Sequence, residues 1–335
     1  MIKNLASLYI YDLNVKLILL GDVHTDVDAA CEGVNIDDLL KQWMIYNEHF
    51  KIRTDLLAEV NFTKMNQRHR VGGSPLELLP HNIPCFTKDK NCYQFINFHY
   101  VNIRAIEIDD QVINLDPFNM YRVKYEALNN NITSYQIIDI MNTIKKEGMK
   151  LIRFMLGPFN FNMIDDFLKL NKGYANVFNQ INKYAVIRNG KRMFRAAAEL
   201  QKLDKSLATA ITVFIFKKAN LYLSALDLQE EIQVIEMMGY DHNSDIVDAV
   251  LTSVDNKLLP LGAFIMDAYT LARMFYYMKN SEEMIVYAGK SHISLYVEFL
   301  NTLNYTPLLG MDSHDRCIYD DQLFLYLDIN KYMNI

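Results

Sequence analysis

Short apolar runs and helical spacing divide the chain unevenly. Leu8 to Val15 and the run from Lys16 to Leu20 read as a hairpin, with Asp12 to Asn14 supplying the turn. Its second arm, Leu17-Ile18-Leu19-Leu20, is stopped by Gly21, so the side chains that follow fall at the strand's carboxyl end. After Gly33, Asn35 is placed to cap a helix running to about Glu48, because Ile36, Leu39, Leu40, Trp43 and Met44 recur on one helical face. Thr54 to Val60 then reads as a second buried strand with Glu59 at its end, which completes a βαβ unit and implies a parallel sheet. From about Asn61 to Asn97 the pattern gives way to a loop-rich stretch holding Gly72-Gly73-Ser74-Pro75, Pro80, Pro84 and the basic Arg68-His69-Arg70. Irregular loops of this length are usually functional or disordered, and covering a cleft is the functional role expected of this one. Asn102 to Asp110 follows as a third strand ending in acids.

From about Ser134 to Asn280 the periodicity turns almost wholly helical, with segments over 165–170, 174–187, 192–203, 207–216, 228–238, 246–254 and 261–278. A strand then runs from Met284 to Ala288 and stops at Gly289; a helix from Ile293 to Leu303 and a final strand from Leu323 to Leu327 close the chain. The expected class is α/β: a central, mostly parallel sheet with a large helical insertion forming a cap beside the strand ends. Residues 1–335 are expected to form a single composite domain, with a sheet core from 1–115 and 281–335 and the insertion over about 130–280.

Composition narrows the class of partner. A hydrophobic share of 51% and a charged share of 22% are those of a globular chain, and a net charge of −6 argues against nucleic acid. No window of eighteen uncharged apolar residues predicts a membrane span. Asp12, Asn14 and Lys16 interrupt the first apolar run with no small-residue cleavage site after it, so no signal peptide is expected. Cys31, Cys85, Cys92 and Cys317 lie far apart and never as CxxC, from which we expect reduced thiols and a cytoplasmic location. The richness in Asn, Ile, Lys and Tyr is that of an AT-rich coding sequence.

The candidate chemistry lies where apolar runs end. Gly21-Asp22-Val23-His24 and Gly289-Lys290-Ser291-His292 are two copies of strand, Gly, two residues and His, and strand carboxyl ends are where ligands bind in open α/β sheets. Two histidines with a carboxylate such as Glu59 make a facial ligand set that leaves positions open for water and substrate. Asp22 is either a further carboxylate of the site or a local turn cap. Asp26 and Asp28 read as helix-start acids, and His49, His69, His81, His99 and His242 as surface or loop residues; His314 sits among acids near the second motif.

The order of these elements resembles a known superfamily. Gly21 to His24, Leu56-Leu57-Ala58-Glu59, Arg188-Asn189 after Tyr184 to Ile187, and Gly289 to His292 are similar to the two Gly-x-x-His motifs, strand-end Glu and Arg-Asn element of the TraB, Tiki, ChaN-like and erythromycin-esterase proteins. The stretch Asp267 to Met274 followed by Val286 to Ile293 is similar to members encoded by large DNA viruses, for which host cytoplasm or virion would be the location. The resemblance implies an α/β core with a helical cap and a metal-dependent hydrolase acting on a peptide or small ester. His24, His292 and Glu59, with Asp22 beside them, would then hold manganese, cobalt or zinc, Glu59 would serve as general base with a pKa raised by burial, and Arg188 would steady the oxyanion. In esterase-like members the same His and Glu activate water without a metal. Tiki proteins are secreted or membrane-anchored, which this sequence gives no sign of, and ChaN-like proteins bind haem, for which no site is placed here.

Two other readings stay open. Asp22-Val23-His24 is also the Asp-x-His opening of calcineurin-like metallophosphoesterases, but their Gly-Asp-x-x-Asp and Gly-Asn-His blocks are missing and only Asp312-Ser313-His314-Asp315 stands late in the chain. A non-catalytic binding or virion-associated structural protein, including a homo-oligomer, would use the Met- and Tyr-rich surface, for example Met237-Met238 and Tyr276-Tyr277-Met278.

Overall fold

The computed structural model describes residues 1–23, 31–63, 93–108, 111–114, 133–157, 186–188, 191–238, 244–314 and 316–318. His24, Asp26, Asp28, the loop-rich stretch after Thr63, the helices expected at 165–170 and 174–185, and the expected strand at Leu323 to Leu327 lie outside them. The chain is α/β and separates into two compact units, one of residues 1–112 and 273–335, the other of residues 113–272.

The first unit is built on a seven-stranded sheet. Strand β1 (Ile2–Lys3) precedes the hairpin of β2 (Ser7–Asp12) and β3 (Lys16–Asp22), whose turn places Asn14 at φ 63, a left-handed position that Asn tolerates. β4 (Val34–Asn35) leads into helix α1 (Ile36–His49), and the Asn35 side chain accepts from the Asp37 N–H as its cap. Then come β5 (Thr54–Thr63), β6 (Ile96–Ile108) and β7 (Gln111–Asn114). After the second unit the chain returns as β10 (Glu283–Gly289), α7 (Lys290–Thr302), β11 (Leu309–Asp312) and β12 (Cys317–Ile318). The sheet order is β11-β2-β3-β10-β5-β6-β7; β3, β10, β5 and β6 are parallel, β2 pairs antiparallel with β3, and β11 pairs antiparallel with β2. β3 and β5 bound a βαβ unit in sequence, yet β10 is inserted between them.

Alternation along the strands fixes what each face buries. Ile18 and Leu20 of β3, Ile285 and Tyr287 of β10, and Leu56, Ala58 and Val60 of β5 pack with Trp43 and the apolar face of α1 in one core. Each large side chain fully buried there contributes about 1.5–3 kcal/mol. The intervening positions, among them Gly21 and Glu59, point to the opposite face, where α7 begins. A Cβ on Gly21 would lie 3.2 Å from Lys290 Cα, so the missing side chain is what lets the first turn of α7 sit on β3.

A three-stranded sheet, β12-β1-β4, joins the two ends of the chain, and Cys31 and Cys317 are disulfide-bonded beside it with Cα atoms 6.3 Å apart. The expectation of reduced thiols, a premise of the cytoplasmic reading, therefore fails for this pair. The partners are 286 residues apart, a pairing that spacing cannot disclose. Cys85 and Cys92 lie outside the described residues.

Among the described residues the second unit is helical apart from the end of β7 and one hairpin. α2 (Ser134–Leu156) starts with a capping box between Thr133 and Gln136. β8 (Val186–Arg188) and β9 (Lys191–Met193) pair antiparallel, followed by α3 (Arg195–Leu200), α4 (Lys205–Ala225), α5 (Gln229–Met238) and α6 (Ser244–Tyr277). The hairpin corrects the helical reading at 186–187 and 192–193: a short apolar run satisfies either period, and here strand pairing prevails. Within this unit Lys257 reaches Glu231 at 2.8 Å, and with desolvation opposed by Lys257 and Ser253 the Glu231 carboxyl titrates below its ordinary value. By length and composition α6 is apolar enough over Asp245–Tyr277 to cross a membrane, but 72% of the apolar eighteen-residue stretch within it is buried, as in a core helix.

Candidate functional site

The two Gly-x-x-His motifs begin side by side. β3 and β10 are parallel neighbours in a register that pairs Gly21 with Ala288 and Asp22 with Gly289. On the other side of β10, Ala58 pairs with Tyr287, so Glu59 stands one residue further on at the same carboxyl edge. Gly289 is the N-cap of α7 and has no side chain to satisfy that helix start. Glu59 supplies the oxygen instead: its Oε2 accepts from the Gly289 N–H at 2.8 Å. A carboxylate at a helix amino end is favoured by the helix dipole as well.

His292 lies in the first turn of α7 and points back toward the same carboxylate. Its Nε2 is 3.3 Å from Glu59 Oε1, and the two side chains are 11% and 3% exposed. Glu59 and His292, 233 residues apart in the sequence, thus meet as a nearly buried acid–imidazole pair at the sheet's carboxyl edge. Tyr296, one turn along α7 and fully buried, lies with its ring 6.5 Å from the imidazole.

The other residues singled out by the sequence are placed differently. Asp22 is buried, its Oδ1 accepts from the Val23 N–H at 2.8 Å, and strand alternation puts it with Leu20 on the α1 face, opposite Glu59. Arg188 ends β8 in the second unit. His24 is outside the described residues, and His314 is an exposed residue in a bend after β11. Among the described residues no group of three or more His, Cys, Asp and Glu is arranged to hold an ion.

A second polar cluster occupies the other end of β5, and sequence reasoning misses it. His99, expected at the surface, is buried in β6, with Nε2 2.5 Å from Asp55 Oδ1 and Nδ1 2.7 Å from Arg273 Nη2. Because a guanidinium only donates, Nδ1 accepts and the ring proton resides on Nε2, donated to Asp55. Ser281 donates to the other Asp55 oxygen, and the Tyr277 ring stacks on the imidazole at 4.2 Å. These five side chains fasten the end of α6 and the entry to β10 onto the sheet. The only sequence signal for it is an acid and a histidine inside otherwise apolar strands.

Compared with protein-family models, with curated proteins and with solved structures, the chain matches none.

Proposed function

We propose that the protein is a hydrolase of peptides or small esters whose working pair is Glu59 and His292. The observation that carries this reading is the 3.3 Å approach of His292 Nε2 to Glu59 Oε1 at the end of β5. A proton on Nε2 would be held by Glu59, which would fix the tautomer and support positive charge on the ring, leaving the other ring nitrogen to take a proton from an attacking water. The mostly buried setting strengthens that pairing relative to water. The resemblance of the two Gly-x-x-His motifs to the TraB, Tiki and esterase proteins supports the same reaction class.

A divalent ion fits this pair in one respect. Donors sharing an ion through bonds of about 2.1 Å lie roughly 3–3.4 Å apart, which brackets the observed separation, whereas a charge-assisted hydrogen bond is usually about 2.7–2.9 Å. Glu59 and His292 would then be two of its ligands, with His24 the candidate third, and the ion would supply a more acidic water.

One observation favours a non-catalytic reading: Glu59 also caps α7 through Gly289, which is a structural role. The experiment that separates the two is a panel of p-nitrophenyl esters and quenched peptides, assayed with and without manganese, zinc or chelator. Wild type turning over a panel member, with Glu59→Gln and His292→Gln at least 100-fold slower yet folded, supports the hydrolase. No turnover by wild type under any condition, or equal turnover by the variants, leaves the pair as a helix clasp.

A further inference from the structure

The second unit holds a cavity that the hydrolytic pair does not use. Among the described residues its walls are the end of α2, α3 with the turn that follows it, and α4. It encloses about 400 Å³, within the range of small-molecule sites. Most of the lining is apolar. Leu156, Ala197, Leu200 and Leu203 all line it and yet are no more than 9% exposed, so the space is deep and slender. Val213, which also lines it, is 59% exposed and marks the open side. A helix or strand of another protein needs a broad exposed floor to dock on; an unbranched alkyl chain does not.

The polar groups say what such a chain should carry at its end. Gln201 ends α3 and Lys205 opens α4, so both stand at the turn between these helices. Thr209 and Thr212, further along α4, donate back to the Lys205 and Ala208 carbonyls at 2.7 and 2.8 Å, so neither hydroxyl is left needing a partner in the cavity. Among the described residues that line it, Lys205 alone is charged; it is exposed, and no described carboxylate pairs with it. The nearby charges are already engaged: Lys202 holds Glu199 at 2.7 Å, and Asp204 accepts from the Leu207 N–H as the cap of α4. At the other end, where Phe216 lines the cavity, the Arg153 guanidinium lies 5.8 Å from its ring centroid, so a second cation flanks the site. Lys205 and Phe216 are about 16 Å apart along the axis of α4. The cavity is thus a long apolar slot with cations at its ends.

We propose that this cavity binds a long-chain carboxylate, with the alkyl chain lying along α4 and the carboxylate at the α3–α4 turn against Gln201 and Lys205. The chain gains from leaving water, and the head stays at the water's edge beside an ammonium on a flexible stem. A cationic head would be repelled there. The site stands independently of the hydrolytic reading, because Glu59 and His292 belong to the first unit and contribute nothing to it.

Calorimetry on the full chain with octanoate, decanoate and dodecanoate, each below its micelle concentration, should give one ligand per protein molecule. Each added methylene should tighten binding about fourfold. Lys205→Glu should weaken decanoate about fivefold and leave decanol unchanged, a split that a merely apolar surface would not show. Val213 is exposed, so Val213→Asp should keep the wild-type Tm while weakening decanoate and decanol at least tenfold. No binding of dodecanoate by wild type, equal affinity of wild type and Lys205→Glu for decanoate, or unaltered binding by Val213→Asp would each overturn the proposal. A dimer in sedimentation that Val213→Asp abolishes, with dodecanoate unbound, would overturn it too and assign the face to a second copy of the chain. None of these results bears on whether Glu59 and His292 hydrolyse anything, because no turnover is read.

Discussion

Gly21→Ala tests how the first motif is built. The added Cβ would lie 2.0 Å from Ser7 Oγ, 3.2 Å from Lys290 Cα and 3.3 Å from Ser7 Cβ. The first contact is impossible without movement, and the other two are tight against backbone and a fully buried side chain. Overpacking of this kind costs about 1–3 kcal/mol. Ser7 can turn its hydroxyl aside only inside the core, where that hydroxyl already has no hydrogen-bond partner. Ser7→Ala should therefore be neutral or stabilising by about 1 kcal/mol. In the Ser7→Ala background the shortest clash is gone, and Gly21→Ala should cost at least about 1 kcal/mol less than it does alone. Trp43 is the single tryptophan and is buried in the core of this unit, so its fluorescence in a urea titration reads the relevant transition. Equal costs of Gly21→Ala in both backgrounds, or a destabilising Ser7→Ala, would refute the packing argument.

Three further outcomes follow from the geometry. Glu283 is buried beside Lys16, Asn47 and Trp43, and desolvation outweighs these partners, so its folded pKa lies above the ordinary carboxyl value. The folded chain then holds a proton that the unfolded chain releases, and stability from this residue falls as pH rises from about 4.5 toward the raised value. The wild-type minus Glu283→Gln difference in unfolding free energy should fall across that window, and a flat difference would contradict the assignment. Reduction of the Cys31–Cys317 disulfide should lower stability by about 2–5 kcal/mol, with these two thiols blocked to alkylation until reductant is added; immediate alkylation at Cys31 and Cys317, located by peptide mapping, in denaturant alone would show the bond is not formed. His99→Leu removes the partner that Asp55 and Arg273 share and should cost about 2–5 kcal/mol, more than His99→Gln; equal and small losses would mean that the cluster is solvated.

The sequence discloses the strands that matter and not their neighbours. β3, β5 and β10 are legible because each is an unbroken apolar run stopped by glycine or an acid, and α1 because its apolar positions and Asn35 cap agree. That β10 inserts between β3 and β5 is a long-range event with no local signal, although it is what brings Glu59 to Gly289 and His292. The face on which Asp22 lies also depends on pairing, since one step along a strand reverses a side chain. β1, β4 and β12 have two residues each and β11 has four, too few for a period to appear. His99 looks isolated because its partners Asp55 and Arg273 are 44 and 174 positions away.

The most direct test of the central claim is a double-mutant cycle on turnover with Glu59→Gln, His292→Gln and the combined variant. If the carboxylate works through the imidazole, the two act as a unit, and the combined variant should be no slower than the slower single variant. Losses that multiply would contradict a shared site at the end of β5, and wild-type rates in both single variants would remove it.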